Sequence, residues 1–201
     1  MLRRSVISLA VVFFTFACGS SPTSPSDSGG GSPPPAGSAG TMTVRITDSP
    51  FGAAKAVLIT FSEVAVQRGS DWVRVPFPDQ SASTWTCDLK KLENNAEDTI
   101  AAGSIGQATY SWVRFTIQSA KLFAQNSAVS ATPCARTIPE PAGESYTMAI
   151  ANREARTNGS FPVTSSSGTT MLIDFDGESS VKESGTNNFT LDPVIRLVSV
   201  R

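Results

Sequence analysis

Apolar and polar residues alternate along much of the chain after residue 40, which is the pattern of half-buried β-strands. In the clearest run, Val113, Phe115 and Ile117 point one way, while Trp112 and Arg114 point the other. The pattern predicts strands at 41–47, 56–67, 72–78, 84–92, 108–124, 145–151, 159–163, 169–175 and 187–200. Residues 93–104 are the one segment for which a short helical turn is predicted. Roughly eight to nine strands without a long helix predict an all-β fold, a two-layer antiparallel β-sandwich.

The first residues have the features of an export signal. Arg3 and Arg4 give a positive start, and an apolar run at 6–16 follows that is too short to span a bilayer. Cys18 comes directly after Ala17, which resembles a bacterial lipoprotein signal with Cys18 acylated as the mature N-terminus. Ordinary cleavage after Ala17 is the alternative. Ser20, rather than Asp, close behind the cysteine resembles an outer-membrane address in a Gram-negative envelope.

A tract of Ser, Pro, Gly, Thr and Ala follows the signal and cannot bury enough apolar surface to fold. The predicted organisation is therefore a signal peptide at 1–17, a lipid-anchored flexible linker at 18–40 and one folded domain at 41–201. The linker would hold the domain on the order of tens of ångströms from the membrane. The localisation this predicts is exported and anchored to the bacterial membrane through Cys18.

Composition excludes some classes of function. Removing Arg3 and Arg4 with the signal leaves 14 of the 16 basic residues against 17 acidic ones, a charge of about −3 without a basic cluster. Nucleic acid is an unsuitable partner for such a surface. The chain has no histidine, the commonest general base, and no nucleophile motif of the Gly-x-Ser-x-Gly kind. We therefore expect a protein that is not an enzyme and that needs no cofactor.

The cysteines fit an oxidising compartment. If Cys18 carries lipid, Cys87 and Cys134 remain as a pair, which predicts a disulfide. Two unpaired thiols are the alternative.

Three carboxylates, Asp174, Asp176 and Glu178, stand at every second position of the stretch LIDFDGESSV at 172–181. On one strand they would share a face and, with Asp48 or Asp192 from turns, offer oxygen ligands to Ca²⁺. The spacing favours a structural interpretation instead, because the stretch is an apolar strand rather than a calcium loop. In that interpretation Asp174 pairs with an arginine on a neighbouring strand, either Arg114 or Arg196.

Trp72, Trp85 and Trp112 are the candidates for an aromatic platform that binds sugar or peptide. Packing in the core is the commoner role of such residues. Trp112 is the best candidate for ligand binding because it lies opposite Val113 and Phe115.

Several stretches carry a resemblance to a known family. They are TVRITDSP at 43–50, AVLITF at 56–61, YSWVRF at 110–115, LIDFD at 172–176 and LDPVIR at 191–196. They resemble the bacterial and archaeal domain-of-unknown-function family 4382 (DUF4382), which is found on exported lipoproteins. The chain departs from the family pattern at Ala108, where a glycine is typical, and at Asp192, where lysine is frequent. The resemblance implies a transthyretin-like or immunoglobulin-like β-sandwich and no established activity, and it supplies no catalytic residue.

These observations together predict a cell-envelope lipoprotein that carries a non-catalytic binding or structural module. The expected ligand is a glycan or an envelope protein, by analogy of fold and location. A Ca²⁺-dependent adhesion or carbohydrate-binding module that uses Asp174 and Asp176 is the first alternative. A metal-assisted hydrolase is the second.

Overall fold

The computed structural model describes residues 38–49 and 51–201, and within these ranges nearly all regular structure is β-strand. The strands are β1 (Ala39–Ser49), β2 (Ala56–Arg68), β3 (Asp71–Val75), β4 (Trp85–Asp88), β5 (Asp98–Gly106), β6 (Ala108–Phe123), β7 (Cys134–Ala135), β8 (Ser145–Thr147), β9 (Ala149–Ile150), β10 (Glu154–Val163), β11 (Thr169–Asp176), β12 (Val181–Glu183), β13 (Phe189–Leu191) and β14 (Ile195–Val200). A 3₁₀ turn (Leu89–Lys91) and a single-turn helix, α1 (Gly177–Ser180), complete the described elements. The predicted all-β class is confirmed.

Two sheets form the sandwich-like fold. One has the strand order β14-β11-β1-β5, and the other has the order β10-β6-β2-β4-β7, with β3 also paired to β2 and β8 to β6. Strands β12, β13 and β9 form a small third sheet. The larger sheet is antiparallel as predicted, but β1 and β11 pair in parallel, so the smaller main sheet is mixed.

The core lies between the two main sheets and takes the inward residues of both. Phe61 of β2 contacts Phe115 of β6 and Phe175 of β11 edge to face, at centroid distances of 5.5 and 6.2 Å. The contact with Phe175 joins the two layers. Burial of each such side chain contributes about 1.5–3 kcal/mol, which makes this interior the main source of stability.

Residues 93–104 differ from the prediction, because the second half of the predicted helical turn is β5. Asn94 and Asn95, just after the 3₁₀ turn that ends at Lys91, take positive φ angles of 57° and 64°, which a right-handed helix does not allow. The following residues then pair antiparallel with β1 and cover its free edge. β1 itself begins at Ala39, two residues before the predicted start.

The Cys87–Cys134 disulfide is present, as predicted, with a Cα–Cα distance of 4.1 Å. The two cysteines face each other in register on β4 and β7. The bridge ties the long segment between β6 and β8 to the edge of the larger sheet.

The predicted signal peptide, Cys18 and all but the last three residues of the predicted linker lie outside the described residues. Among the residues that are described, no helix is long and apolar enough to cross a membrane.

Candidate functional site

The outer side of the larger sheet carries a row of large polar and aromatic side chains that crosses four strands. Gln67 of β2 pairs with Trp72 of β3 on one side and with Trp112 of β6 on the other, and Trp112 pairs with Asn158 of β10. Their chain neighbours Val66 and Val113 are buried in the core and Val73 is partly buried against it, so the pleat directs the row outward. Two of the three tryptophans therefore lie in the same row of one surface.

The next two rows on this surface are charged. Ala65 pairs with Arg74 and Arg114, and Arg114 pairs with Arg156; beyond them Thr116 pairs with Glu63 and Glu154. We call these three rows the tryptophan–arginine face, which comprises Trp72, Gln67, Trp112, Asn158, Arg74, Ala65, Arg114, Arg156, Glu63, Thr116 and Glu154.

Arg114 holds this face together. Its guanidinium carbon lies 4.4 Å from the centroid of the Trp72 ring, and that of Arg156 lies 5.5 Å from it. Arg114 also binds Glu63 and, at 3.4 Å, Glu154, which binds Arg156 as well. The cation–π contacts and ion pairs fix side chains that would otherwise be free to rotate.

Ala65 explains why the Trp72 side chain reaches an arginine two strands away. Ala65 points to the outer surface, yet it is only 1% exposed and belongs to neither of the two apolar clusters of the fold. Its small methyl group leaves room for Trp72 and Arg114 to meet above it. A larger residue at this position would separate the two side chains.

The tryptophans divide into two kinds. Trp112 is 40% exposed, one of the few large apolar side chains in the described part of the chain that is open to solvent. Trp85 lies on the inward side and stacks on Phe77 at 6.1 Å. Of the three, Trp112 is therefore the tryptophan that is open to a ligand; the ring of Trp72 is covered by Arg114 and Arg156, and Trp85 has the packing role.

The stretch 172–181 does not place its three carboxylates on one strand face. β11 ends at Asp176, whose Oδ1 accepts a hydrogen bond from the Ser179 backbone N–H at 2.8 Å and so caps α1. Glu178 lies on α1 and is exposed. Gly177 begins this turn, so the alternation of side chains along β11 ends at Asp176 and does not extend to Glu178.

The predicted pairing of Asp174 with Arg114 or Arg196 is corrected by the structure. Arg196 stands opposite Asp174 in register but extends along β11 and binds Asp176. Asp174 instead accepts a hydrogen bond from the Ser49 hydroxyl, 3.2 Å from Oδ2 and 3.3 Å from Oδ1. Partial burial raises the pKa of Asp174, the Ser49 hydrogen bond opposes the shift, and the nearby Asp176 adds to it.

Asp48 is the most strongly perturbed carboxyl group in this region. It is 7% exposed, and the Gly177 backbone N–H donates to its Oδ1 at 3.0 Å. Its Oδ2 has no hydrogen-bond partner among the described residues. Burial raises the pKa of Asp48 to about 8, with a further contribution from Asp174, although the Gly177 N–H acts in the opposite direction.

Asp174 and Asp176 are therefore engaged by contacts within the protein, while, among the described residues, one oxygen of Asp48 and the exposed Glu178 are not. In the described ranges, no group of three or more His, Cys, Asp or Glu side chains is arranged to hold a metal ion. Asp192, the remaining candidate, forms an exposed pair with Lys182 at 3.3 Å.

Sequence reasoning missed Gln67, Arg74, Arg156 and Asn158 as members of the face. The alternation in each strand predicts that they point outward, but only strand pairing shows that four strands bring them together. Strand order is non-local, and the alternation of one strand does not contain it.

The family model described as domain of unknown function (DUF4382) matches residues 39–193, and the chain belongs to this family. No curated protein and no solved structure matches the chain.

Proposed function

We propose that this DUF4382 domain is a non-catalytic carbohydrate-binding module of the bacterial cell envelope, and that an extended glycan lies on its tryptophan–arginine face. The observation that carries the proposal is the row formed by Trp72, Gln67, Trp112 and Asn158 across four paired strands. Such a row offers the exposed ring of Trp112 with an amide side chain on the strand at either side of it.

The chemistry of this row matches that of a sugar chain. A pyranose ring has an apolar C–H face, which packs on an aromatic ring, and a rim of hydroxyl groups, which bond to amides. Gln67 and Asn158 stand on the strands on either side of Trp112, so their backbones lie about 9–10 Å apart, a span comparable with a disaccharide.

The charged rows next to the tryptophans favour a neutral ligand. Glu63 binds Arg114, and Glu154 binds both Arg114 and Arg156, so an anionic ligand would have to compete with existing ion pairs at these two arginines. Arg74 is the arginine of the face that belongs to no ion pair within the described residues, and its guanidinium lies over Phe77. The arginines then act mainly by positioning Trp72 and by offering N–H donors that remain unused. Glycan binding should accordingly depend little on ionic strength.

The location is part of the proposal and has its support in the sequence. Arg3, Arg4, the apolar run at 6–16 and Cys18 favour a lipid-anchored exported protein, and the tract before residue 41 would act as a tether. A module held in this way at the outer membrane would meet the glycans of the envelope. An envelope protein is the other ligand class, since Trp and Arg are also enriched in protein interfaces.

The test is a binding measurement with the full chain carrying Cys18→Ser, so that it is made without lipid. Insoluble chitin, cellulose and purified peptidoglycan serve as probes, with Trp112→Ala as the variant. We expect wild type to bind at least one of these glycans and Trp112→Ala to bind it about tenfold more weakly. Trp112→Phe should retain most of the affinity.

Val198→Ala is the matched control, because Val198 is another exposed apolar residue, 54% exposed, but on the smaller main sheet. Its binding should equal that of wild type. Equal binding by wild type and Trp112→Ala would disprove the proposal. Binding only to envelope proteins, weakened steeply by salt, would favour the protein-partner alternative.

A further inference from the structure

The outer face of the larger sheet does not end at the tryptophan–arginine face. Along β2 and β6 the outward positions continue through Thr60 and Ser119, which pair with each other, to Leu58 and Lys121. At these residues the surface opens into a cavity of about 330 Å³. This volume is in the range of small-molecule sites, roughly 300–1,000 Å³.

The far wall of the cavity is the segment between β6 and β8, and several contacts fix it. The Cys87–Cys134 disulfide joins β7 to β4, and the backbone N–H of Cys134 donates to Asp98 at 2.9 Å. Beyond the cavity this segment packs on the outer face of the sheet. Its residues Ala128 and Ile138 form a small apolar cluster with Ala56, Leu58 and Phe123 of the strands. Because Ala56 and Phe123 are buried there, the open surface stops at the cavity.

The lining of the cavity is rich in hydroxyl groups. They come from Thr60, Thr84, Thr86, Ser119 and Thr137. The hydroxyls of Thr60 and Thr86 are 3.0 Å apart and hydrogen-bonded. Leu58 and Ile138 add an apolar surface on which the C–H side of a sugar ring can pack.

The charged groups of the lining are already paired with carboxylates. Lys121 binds Glu140 at 2.6 Å, and Arg136 binds Asp79 at 3.3 Å. An anionic ligand would have to break one of these pairs, whereas a neutral polyhydroxyl ligand gains donors and acceptors from both.

We propose that this cavity is a second carbohydrate subsite, which takes the terminal sugar of the chain whose interior lies on the tryptophan–arginine face. The inference rests on the proposed function. From Gln67 to Thr60 the strand spans about 23 Å, so a ligand that fills both parts is an oligosaccharide of several units. The module then recognises the end of a glycan as well as its interior sugar units.

The experiment measures affinity as a function of chain length. The probes are soluble β-1,4-linked N-acetylglucosamine oligosaccharides from the disaccharide to the hexasaccharide, titrated into the full chain carrying Cys18→Ser. Ser119→Trp fills the cavity from an exposed position without changing the core, and Ser119→Ala is its matched control. Wild type should gain about tenfold or more in affinity once the chain reaches the cavity.

Ser119→Trp should lose this gain and keep the affinity of wild type for the disaccharide, and Ser119→Ala should resemble wild type. Trp112→Ala should weaken binding at every length. If Ser119→Trp binds long chains as wild type does while Trp112→Ala does not, the second subsite is wrong and the proposed function stands. If no length binds while wild type still binds one of the insoluble glycans through Trp112, the second subsite is wrong and the proposed function stands; if Trp112→Ala has no effect on any glycan, both proposals are wrong.

Discussion

Two charged regions of the molecule are arranged in opposite ways. On the tryptophan–arginine face, Glu63 and Glu154 each bind an arginine, and Arg114 stacks on an aromatic ring. At the acidic end, by which we mean Asp48, Asp174 and Asp176, three carboxyl groups have one arginine nearby, and it binds Asp176. Asp48 is buried without a cation bound to it.

The difference shows how the same residue types serve different purposes. Ion pairs of Glu63 and Glu154 with Arg114 and Arg156 keep the tryptophan–arginine face ordered, which is what a binding surface needs. At the acidic end, Asp176 caps α1, and burial favours the neutral form of Asp48. Asp176 thus stabilises the fold while Asp48 costs stability as the pH rises, and the following changes test this contrast.

Asp48→Asn should give the largest effect, and the effect should depend on pH. The pKa of Asp48 is raised from 3.8 to about 8 in the folded protein, so its proton is retained there after the unfolded chain has lost it. The associated stability is fully present below about pH 4 and is lost as the pH rises towards 8. Asparagine does not titrate, so the stability of the variant relative to wild type should rise by a few kcal/mol between these pH values.

Urea unfolding from pH 4 to pH 8 measures this difference. Asp71→Asn is the control, because Asp71 is exposed on β3 and the same chemical change is made there outside the acidic end. If the difference between Asp48→Asn and wild type does not change with pH, Asp48 ionises normally, and the contrast between the two regions fails.

Arg114→Ala should destabilise the fold by about 2 kcal/mol, since it leaves Glu63 without its arginine, removes one of the two arginines bound to Glu154 and removes the nearer cation over Trp72. The side chain of Arg114 is 16% exposed, so its pairs are partly shielded from water. Arg156→Ala is the matched control on the neighbouring strand. Its side chain is 49% exposed, and its removal should cost less than about 1 kcal/mol.

Chemical denaturation at neutral pH compares the two variants. Arg114→Lys should recover only part of the loss, because lysine keeps the charge but lacks the planar fork that stacks and binds two carboxylates. Equal losses for Arg114→Ala and Arg156→Ala would mean that Arg114 does not organise the face.

The sequence predicts the features that depend on a single strand, and it fails for the features that depend on how two strands pair. The alternation correctly places Val113, Phe115 and Ile117 on one side of β6, because the pleat is a local property. It does not show which side is inward, so it leaves open whether Trp112 faces solvent, and it misses Asn158 and Arg156, since strand order decides both. Arg196 does lie on the strand next to Asp174, but its long side chain reaches two residues further to Asp176.

The segment 93–104 shows a second limit of local patterns. Nothing in its weak periodicity excludes a helical turn, but the edge of β1 offers backbone hydrogen-bonding groups that β5 satisfies. Tertiary pairing thus overrides a weak local preference.

Asp176→Ala should cost about 1 kcal/mol, the usual contribution of a helix N-cap. Its carboxylate accepts from the Ser179 N–H, and it binds an arginine whose side chain is 61% exposed, so the ion pair adds little. Glu178→Ala, two residues away on the same turn, is the control and should change stability by less than about 0.5 kcal/mol. Thermal unfolding distinguishes them. A larger loss of stability for Glu178→Ala than for Asp176→Ala would show that Glu178, and not Asp176, stabilises this turn.

Ca²⁺ should give the smallest effect, a melting temperature of the full chain that is the same in millimolar Ca²⁺ as in EDTA. A calcium ion requires about six to eight oxygen ligands, and any ion that binds only the folded state must raise its stability. At the acidic end, the Asp176 oxygens already bind Ser179 and Arg196, Asp174 binds Ser49, and Asp48 accepts from Gly177. A rise of several degrees in wild type that is absent from Asp176→Asn would instead show a calcium site. The carboxylates of 172–181 would then belong with the tryptophan–arginine face as functional groups, and the contrast between the two regions would disappear.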